Sequence, residues 1–185
     1  MRWRVRVGYP VALVYLVLAS PTRHWIAIGA ALAGFGLLIR AIAAGHLRKD
    51  RELAITGPYA RTRNPLYLGS GFMAAGFAIA SNSWWAGGLV VIYFAVFYYA
   101  VMKNEEADLH VRFGVPFDNY AQKVPLFLPN FFSSGYSAAP PGTGTEQQFS
   151  WPQYRKNREY QALIGTIGAL AVVWLRMWVR RRYGM

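Results

Sequence analysis

The stretch that decides the fold is LYLGSGFMAAGFAIASNSWWAGGLVVIYFAVFYYAV, residues 66–101, which contains no Asp, Glu, Lys or Arg. A bilayer hydrocarbon core of roughly 30 Å takes about 20 helical residues, somewhat fewer where aromatic residues anchor the ends. Two segments of that kind fit here, 66–80 and 84–101, joined by the uncharged turn Ser81-Asn82-Ser83. Trp84 and Trp85 stand where an interfacial aromatic belt belongs. The pattern predicts a transmembrane hairpin.

Working outward, residues 7–19 form a shorter apolar run after Arg2, Arg4 and Arg6, and residues 25–44 a longer one broken only by Arg40. They read as a second hairpin, turned at Ser20-Pro21-Thr22. A basic start followed by a short apolar run also describes a signal peptide, but the second apolar segment follows almost at once and favours the hairpin. A fifth segment, 162–179, carries Arg176 and spans if that side chain snorkels toward the interface. Gly165 and Gly168, with Ala169 and Ala171, give it a stripe of small residues suited to helix packing. The expected fold is an all-α integral membrane bundle of about five transmembrane helices. A four-helix unit occupies residues 1–130, a flexible linker rich in Ser, Gly, Pro and Thr occupies 131–158, and an appended hydrophobic helix with a basic tail occupies 159–185.

The charge pattern sets the orientation. The 185 residues carry 20 Lys and Arg against 8 Asp and Glu, a formal net charge of +12, beside 55% hydrophobic residues. The mean hydropathy of +0.18 therefore averages long apolar segments with strongly basic connections. If the first four segments cross, one side receives Arg2, Arg4, Arg6, Arg48, Lys49, Arg51, Arg61, Arg63, Lys103, Arg112, Lys123, Arg155, Lys156 and Arg158, and the other receives Arg23 alone. Basic connections stay on the cytoplasmic side. The amino terminus and both long connections are thus expected to face the cytoplasm, and a fifth span puts Arg180, Arg181 and Arg182 outside, against the rule. Charge distributed along membrane-flanking loops points to topology and lipid, with no nucleic-acid partner expected. With no cysteine, disulfides, thiolate metal sites and a cysteine nucleophile are excluded. His24, His46 and His110 are too scattered to predict a metal site.

Two constellations carry possible chemistry. The first runs from Gly57-Pro58-Tyr59 through Arg61, Arg63, Asn64 and Pro65 to Tyr67 and Gly69. Pro65 suits the first helical position, where its missing N–H costs nothing, with Asn64 as the N-cap. A helix amino terminus surrounded by Tyr and Arg favours an anionic or polar ligand. The second is Glu105-Glu106-Ala107-Asp108, three of the eight acidic residues at the far end of the fourth span. Carboxylates near a helix carboxy terminus need a partner. Because the third and fourth spans form a hairpin, both constellations return to the same membrane face. Structure alone would also produce these patterns, as a capped helix flanked by arginines and a helix continuing out of the membrane.

Taken together, Gly57-Pro58-Tyr59, Arg63-Asn64-Pro65-Leu66-Tyr67-Leu68-Gly69, Glu105-Glu106, Phe113-Gly114, Tyr120 and Val124-Pro125-Leu126-Phe127-Leu128-Pro129 resemble the isoprenylcysteine carboxyl methyltransferase and phospholipid methyltransferase superfamily. The resemblance covers about residues 40–130. It implies a membrane-embedded, S-adenosylmethionine-dependent methyltransferase whose acceptor is a membrane lipid or a lipidated small molecule or protein, with cofactor contacts at Tyr59, Arg63, Asn64, Pro65, Tyr67, Gly69, Glu105 and Glu106 and residues 124–129 as a cover. Asn64 stands where many members have histidine, so an acid or base role at that position is not expected. Phe117 stands where tyrosine is common. For a carboxylate acceptor, Arg61 or Arg63 is the expected binding group and no base is needed; for an amine, Glu106 is the expected proton acceptor. Two other readings stand beside this one: an NADPH-dependent sterol-type membrane reductase, and a non-enzymatic membrane scaffold.

Overall fold

The computed structural model describes residues 2–48, 52–130, 136 and 148–183, with side chains from residue 6 onward. Its elements are helical: α1 (Arg2–Leu18), α2 (Arg23–His46), a 3₁₀ turn (Gly57–Ala60), α3 (Pro65–Ala80), α4 (Trp84–Phe113), α5 (Val115–Lys123), α6 (Trp151–Lys156) and α7 (Tyr160–Tyr183). Three helices, α2, α4 and α7, are long and apolar enough to cross a membrane; α1 and α3 contain shorter apolar helices, Arg6–Leu18 and Pro65–Ala80. The expected all-α membrane bundle is what the chain forms. Its wide apolar faces point outward, with Trp84 and Trp85 almost fully exposed, as hydrocarbon requires and water would penalise.

The chain divides into two compact units: Met1–Leu37, Ser70–Ala100 and Gln161–Met185 in the first, Leu38–Gly69 and Val101–Tyr160 in the second. In the first, the two expected hairpins stack turn against turn. The Ser20 amide donates to the Ser81 carbonyl at 2.8 Å, and the Asn82 side-chain amide donates to the Ser20 carbonyl at 3.2 Å. Asn82 adopts a left-handed φ of 46°, which its short polar side chain tolerates. One to two helical turns in from these ends, α2 and α3 meet backbone to backbone. A Cβ on Gly29 would lie 2.3 Å from the Gly76 carbonyl oxygen, so no side chain fits there. The Tyr15 hydroxyl donates to the Phe77 carbonyl at 2.8 Å, and Tyr15, Ala19, Ala86 and Val173 form the buried core.

The basic end of α7 meets these same turns. Arg176 donates to the Leu16 carbonyl at 3.0 Å, and Arg180 to the Ala19 carbonyl at 3.2 Å and the Ser20 hydroxyl. These are carbonyls at the carboxy-terminal end of α1, where no intrahelical donor remains and a cation is favoured. Arg176, expected to snorkel, and Arg180, one of the three arginines set against the charge rule, thus have local partners. By contrast, a Cβ at Gly165 or Gly168 would meet nothing within 4 Å, so the small-residue stripe does not pack tightly against the described chain.

In the second unit, α5 packs through Phe117, Tyr120 and Val124 against Leu53, Ile55, Leu109 and Phe113. Residues 148–158, the end of the stretch expected as a linker, hold α6 and dock on α2: the Ser150 amide donates to the Gly45 carbonyl at 3.0 Å. Apart from Tyr136, residues 131–147 of that stretch lie outside the described residues.

The Gly29 contact generates a test. Gly29→Ala is expected to lower stability by about 1–3 kcal/mol through overpacking, while Gly34→Ala, where a Cβ meets open space, is expected to be neutral or stabilising by up to about 1 kcal/mol. Thermal unfolding in detergent checks both.

Candidate functional site

The site is built at the ends of apolar helices. At 1.5 Å per residue, the 18 apolar residues of α4 cover about 27 Å, so Glu105 and Glu106 emerge one turn beyond the hydrocarbon-length segment of a helix that continues to Phe113. The opposing wall starts at Gly57, whose φ of 58° lies in the left-handed region. A side chain there would also collide with the His46 ring. This turn buries Tyr59, and the buried Tyr120 hydroxyl donates to the Tyr59 carbonyl at 2.7 Å.

Residues 61–64 then run beside residues 124–130 and are held to them in four places. The Arg63 amide donates to the Pro125 carbonyl at 2.9 Å, and the Asn130 amide to the Arg61 carbonyl at 3.1 Å. The Thr62 hydroxyl donates to the Phe127 carbonyl at 2.8 Å, and the Asn64 side-chain amide to the Leu126 carbonyl at 3.0 Å. Asn64 does occupy the start of α3, its carbonyl accepting from the Leu68 amide. Its side chain, however, is spent on the 124–130 segment instead of capping the helix.

Two bonds join the wall to α4. Arg63 pairs with Glu106, both largely buried, and the other Glu106 oxygen accepts from Lys103 at 2.9 Å. The Tyr67 hydroxyl donates to Glu105 at 2.9 Å. Two cations favour the charged form of Glu106, which makes it a strong clamp and a weak proton acceptor while they remain bound to it. Arg61 is exposed, and Pro65 and Gly69 are buried in the first turns of α3.

Among the described residues, two buried side-chain polar atoms have no protein partner: the Tyr59 hydroxyl and the Arg63 Nε. Burial, reinforced by the charge of Glu105 and then by Tyr120, Glu159 and Tyr67, pushes the Tyr59 phenol well above its ordinary pKa. It therefore remains a neutral hydroxyl, able to donate. Arg63 also lines an open cavity of about 500 Å³, together with Gln122, Lys123, Val124, Pro125 and Asn130 among others.

Sequence reasoning passed over Thr62, Lys103 and the pair Arg40–Glu159. The last carried a readable signal, because a lone charge inside an apolar segment demands a partner.

Residues 42–114 match the phospholipid methyltransferase family. Over these residues the chain is similar to that family, which is part of the isoprenylcysteine and phospholipid methyltransferase superfamily. The chain is 32% identical over 136 residues to the nickel-cobalt-cadmium resistance protein NccN of Alcaligenes xylosoxydans xylosoxydans, covering 69% of this chain and 62% of that protein. It is 28% identical over 135 residues to the cobalt-zinc-cadmium resistance protein CzcN of Cupriavidus metallidurans, with the same coverage. The chain thus spans less than two thirds of the length of these relatives. No solved structure matches it.

The four bonds to residues 124–130 predict that Thr62→Val plus Asn64→Ala frees this segment. Hydrogen exchange of amides 124–130 is expected to rise severalfold at a cost of about 1 kcal/mol per lost bond. Unchanged exchange would show that the two side chains do not hold the segment.

Proposed function

We propose that the chain is an S-adenosylmethionine-dependent methyltransferase that acts on a lipid or lipidated acceptor at the cytoplasmic face of a membrane. The observation that carries this reading is the pair of unpartnered buried polar atoms, Tyr59 Oη and Arg63 Nε, on residues of the wall that the Arg63–Glu106 and Tyr67–Glu105 contacts join to α4. Buried polar groups are otherwise almost always satisfied. The set also has the mixed character the cofactor needs: a neutral hydroxyl donor, an aromatic face, carboxylates for ammonium or ribose hydroxyls, and a guanidinium for a carboxylate.

S-adenosylmethionine supplies, when bound, an activated methyl group on a sulfonium centre. The protein's task is then to position and to exclude water. Glu106 fixes Arg63, Tyr67 fixes Glu105, and residues 124–130 lie over the loop that carries Arg63. Exposed Arg61 suits a carboxylate on the acceptor, which needs no base. For an amine, the displaced proton goes to a carboxylate, and Glu106 takes that role only after Arg63 or Lys103 releases it. The acceptor reaches the site from the bilayer that surrounds the helices.

The relatives' names supply the second reading. A chain that serves metal resistance without methyl transfer, acting as a membrane scaffold, leaves the unpartnered atoms of Tyr59 and Arg63 without a use.

Calorimetric titration of the detergent-solubilised protein separates these readings. S-adenosylmethionine is expected to bind saturably and to lose at least tenfold in affinity in Glu105→Gln plus Glu106→Gln. Binding of NADPH alone would point to a reductase, and binding of neither ligand to folded protein would leave the scaffold. In sealed vesicles, inside-out orientation is expected to admit the cofactor and right-side-out orientation to exclude it; the reverse would overturn the cytoplasmic face.

A further inference from the structure

The described chain returns to the site well beyond the 42–114 family segment. α2 ends with carbonyls that no intrahelical donor reaches, and residues 150–157 supply the donors. Gln153 donates to the Leu47 carbonyl at 2.7 Å, and Asn157 donates to the carbonyls of Ala44 at 2.8 Å and Leu47 at 2.9 Å. The Phe149 ring covers Gly45 so closely that a Cβ there would lie 2.2 Å from it. The chain then passes through Arg158, which holds a left-handed φ of 55°. A residue with a Cβ keeps that conformation only where its surroundings impose it.

The turn delivers Glu159 to Arg40. The pair is bidentate, Arg40 Nη2 to Glu159 Oε1 at 2.8 Å and Nε to Oε2 at 3.0 Å, and both side chains are more than four-fifths buried. The remaining guanidinium nitrogen, Nη1, donates to the Leu66 carbonyl at 3.3 Å. Leu66 lies in the first turn of α3, between Asn64, which holds the 124–130 segment, and Tyr67, which holds Glu105. One planar guanidinium thus ties the carboxy-terminal segment to the turn that presents the site. The fork geometry makes this connection directional.

We propose that Glu159 is a positioning residue of the site: by fixing Arg40 it braces the first turn of α3, so that the carboxy-terminal segment is a working part of the cofactor site. This rests on the S-adenosylmethionine reading above. The negative charge of Glu159 is also felt at the Tyr59 hydroxyl, after burial, Glu105 and Tyr120.

The test uses the full chain in detergent, with Glu159→Gln and the apolar pair Arg40→Leu plus Glu159→Leu. Replacing both members of a buried pair by apolar residues preserves folding where removal of one destabilises it. Two readouts are taken: hydrogen exchange of amides 66–70 in ligand-free protein, and S-adenosylmethionine affinity. The apolar pair is expected to keep its thermal midpoint, to exchange at least fivefold faster at 66–70, and to bind the cofactor about tenfold more weakly; Glu159→Gln is expected to fall between it and wild type in exchange and affinity, with a lowered thermal midpoint. Unchanged exchange at 66–70 in the folded double variant overturns the proposal, as does faster exchange with unchanged affinity. If wild type binds no S-adenosylmethionine, the cofactor reading fails and with it Glu159's role in the cofactor site, while the exchange readout alone decides whether the brace exists. Should the double variant fail to fold, Glu159→Gln carries both readouts and the same outcomes.

Discussion

The site depends on the ion pair between Arg63 and Glu106. It joins a loop that precedes one helix to the extension of another, and with both groups largely buried, removing Glu106 leaves Arg63 without its carboxylate, whereas removing Arg63 leaves Glu106 to Lys103 alone. Breaking such a pair from one side typically costs about 3–5 kcal/mol. The other features of the second unit build on it. Lys103 balances the second oxygen of Glu106, the backbone of Arg63 pairs with Pro125, and Thr62 and Asn64 extend that pairing to Phe127 and Leu126.

The bilayer explains why the chemistry sits where it does. Hydrocarbon admits helices and excludes unpaired charge, so the apolar parts of α2, α3 and α4 can carry little beyond packing residues, such as Gly29 against Gly76. Ionisable residues collect at the helix ends, and Arg40 is accommodated in α2 with Glu159 and the Leu66 carbonyl as partners. Arg176 and Arg180 follow the same rule in the first unit by using the carbonyls that end α1.

Much of this was legible in the amino-acid order. The charge-free stretch at 66–101 announced a hairpin because length and hydropathy are what the membrane reads. Pro65 after Asn64 announced the start of α3, and the paired carboxylates at 105 and 106 announced a need for cations, although α4 ends only at Phe113. What the order concealed were contacts between distant positions. That Asn64 would use its side chain on Leu126 instead of its own helix is a tertiary choice, made by the position of residues 124–130. The helix at 151–156 was hidden by its neighbours' composition: Trp151-Pro152 follows a run of Ser, Gly and Pro, and six residues show no clear periodicity. Arg40 was visible as the break in an apolar run, but only the fold reveals that Glu159, 119 positions later, is its partner.

The most direct test of the central claim follows a methyl group. Membranes containing the protein are incubated with methyl-labelled S-adenosylmethionine, and the label is counted in the organic-soluble and protein-bound fractions, beside membranes containing Arg63→Met. The account predicts time-dependent label in one of these fractions with the wild-type chain and at least a hundredfold less with the variant, about 2.7 kcal/mol of lost transition-state stabilisation. Equal labelling by both, or none by a folded wild-type chain supplied with its own membrane lipids, would contradict it.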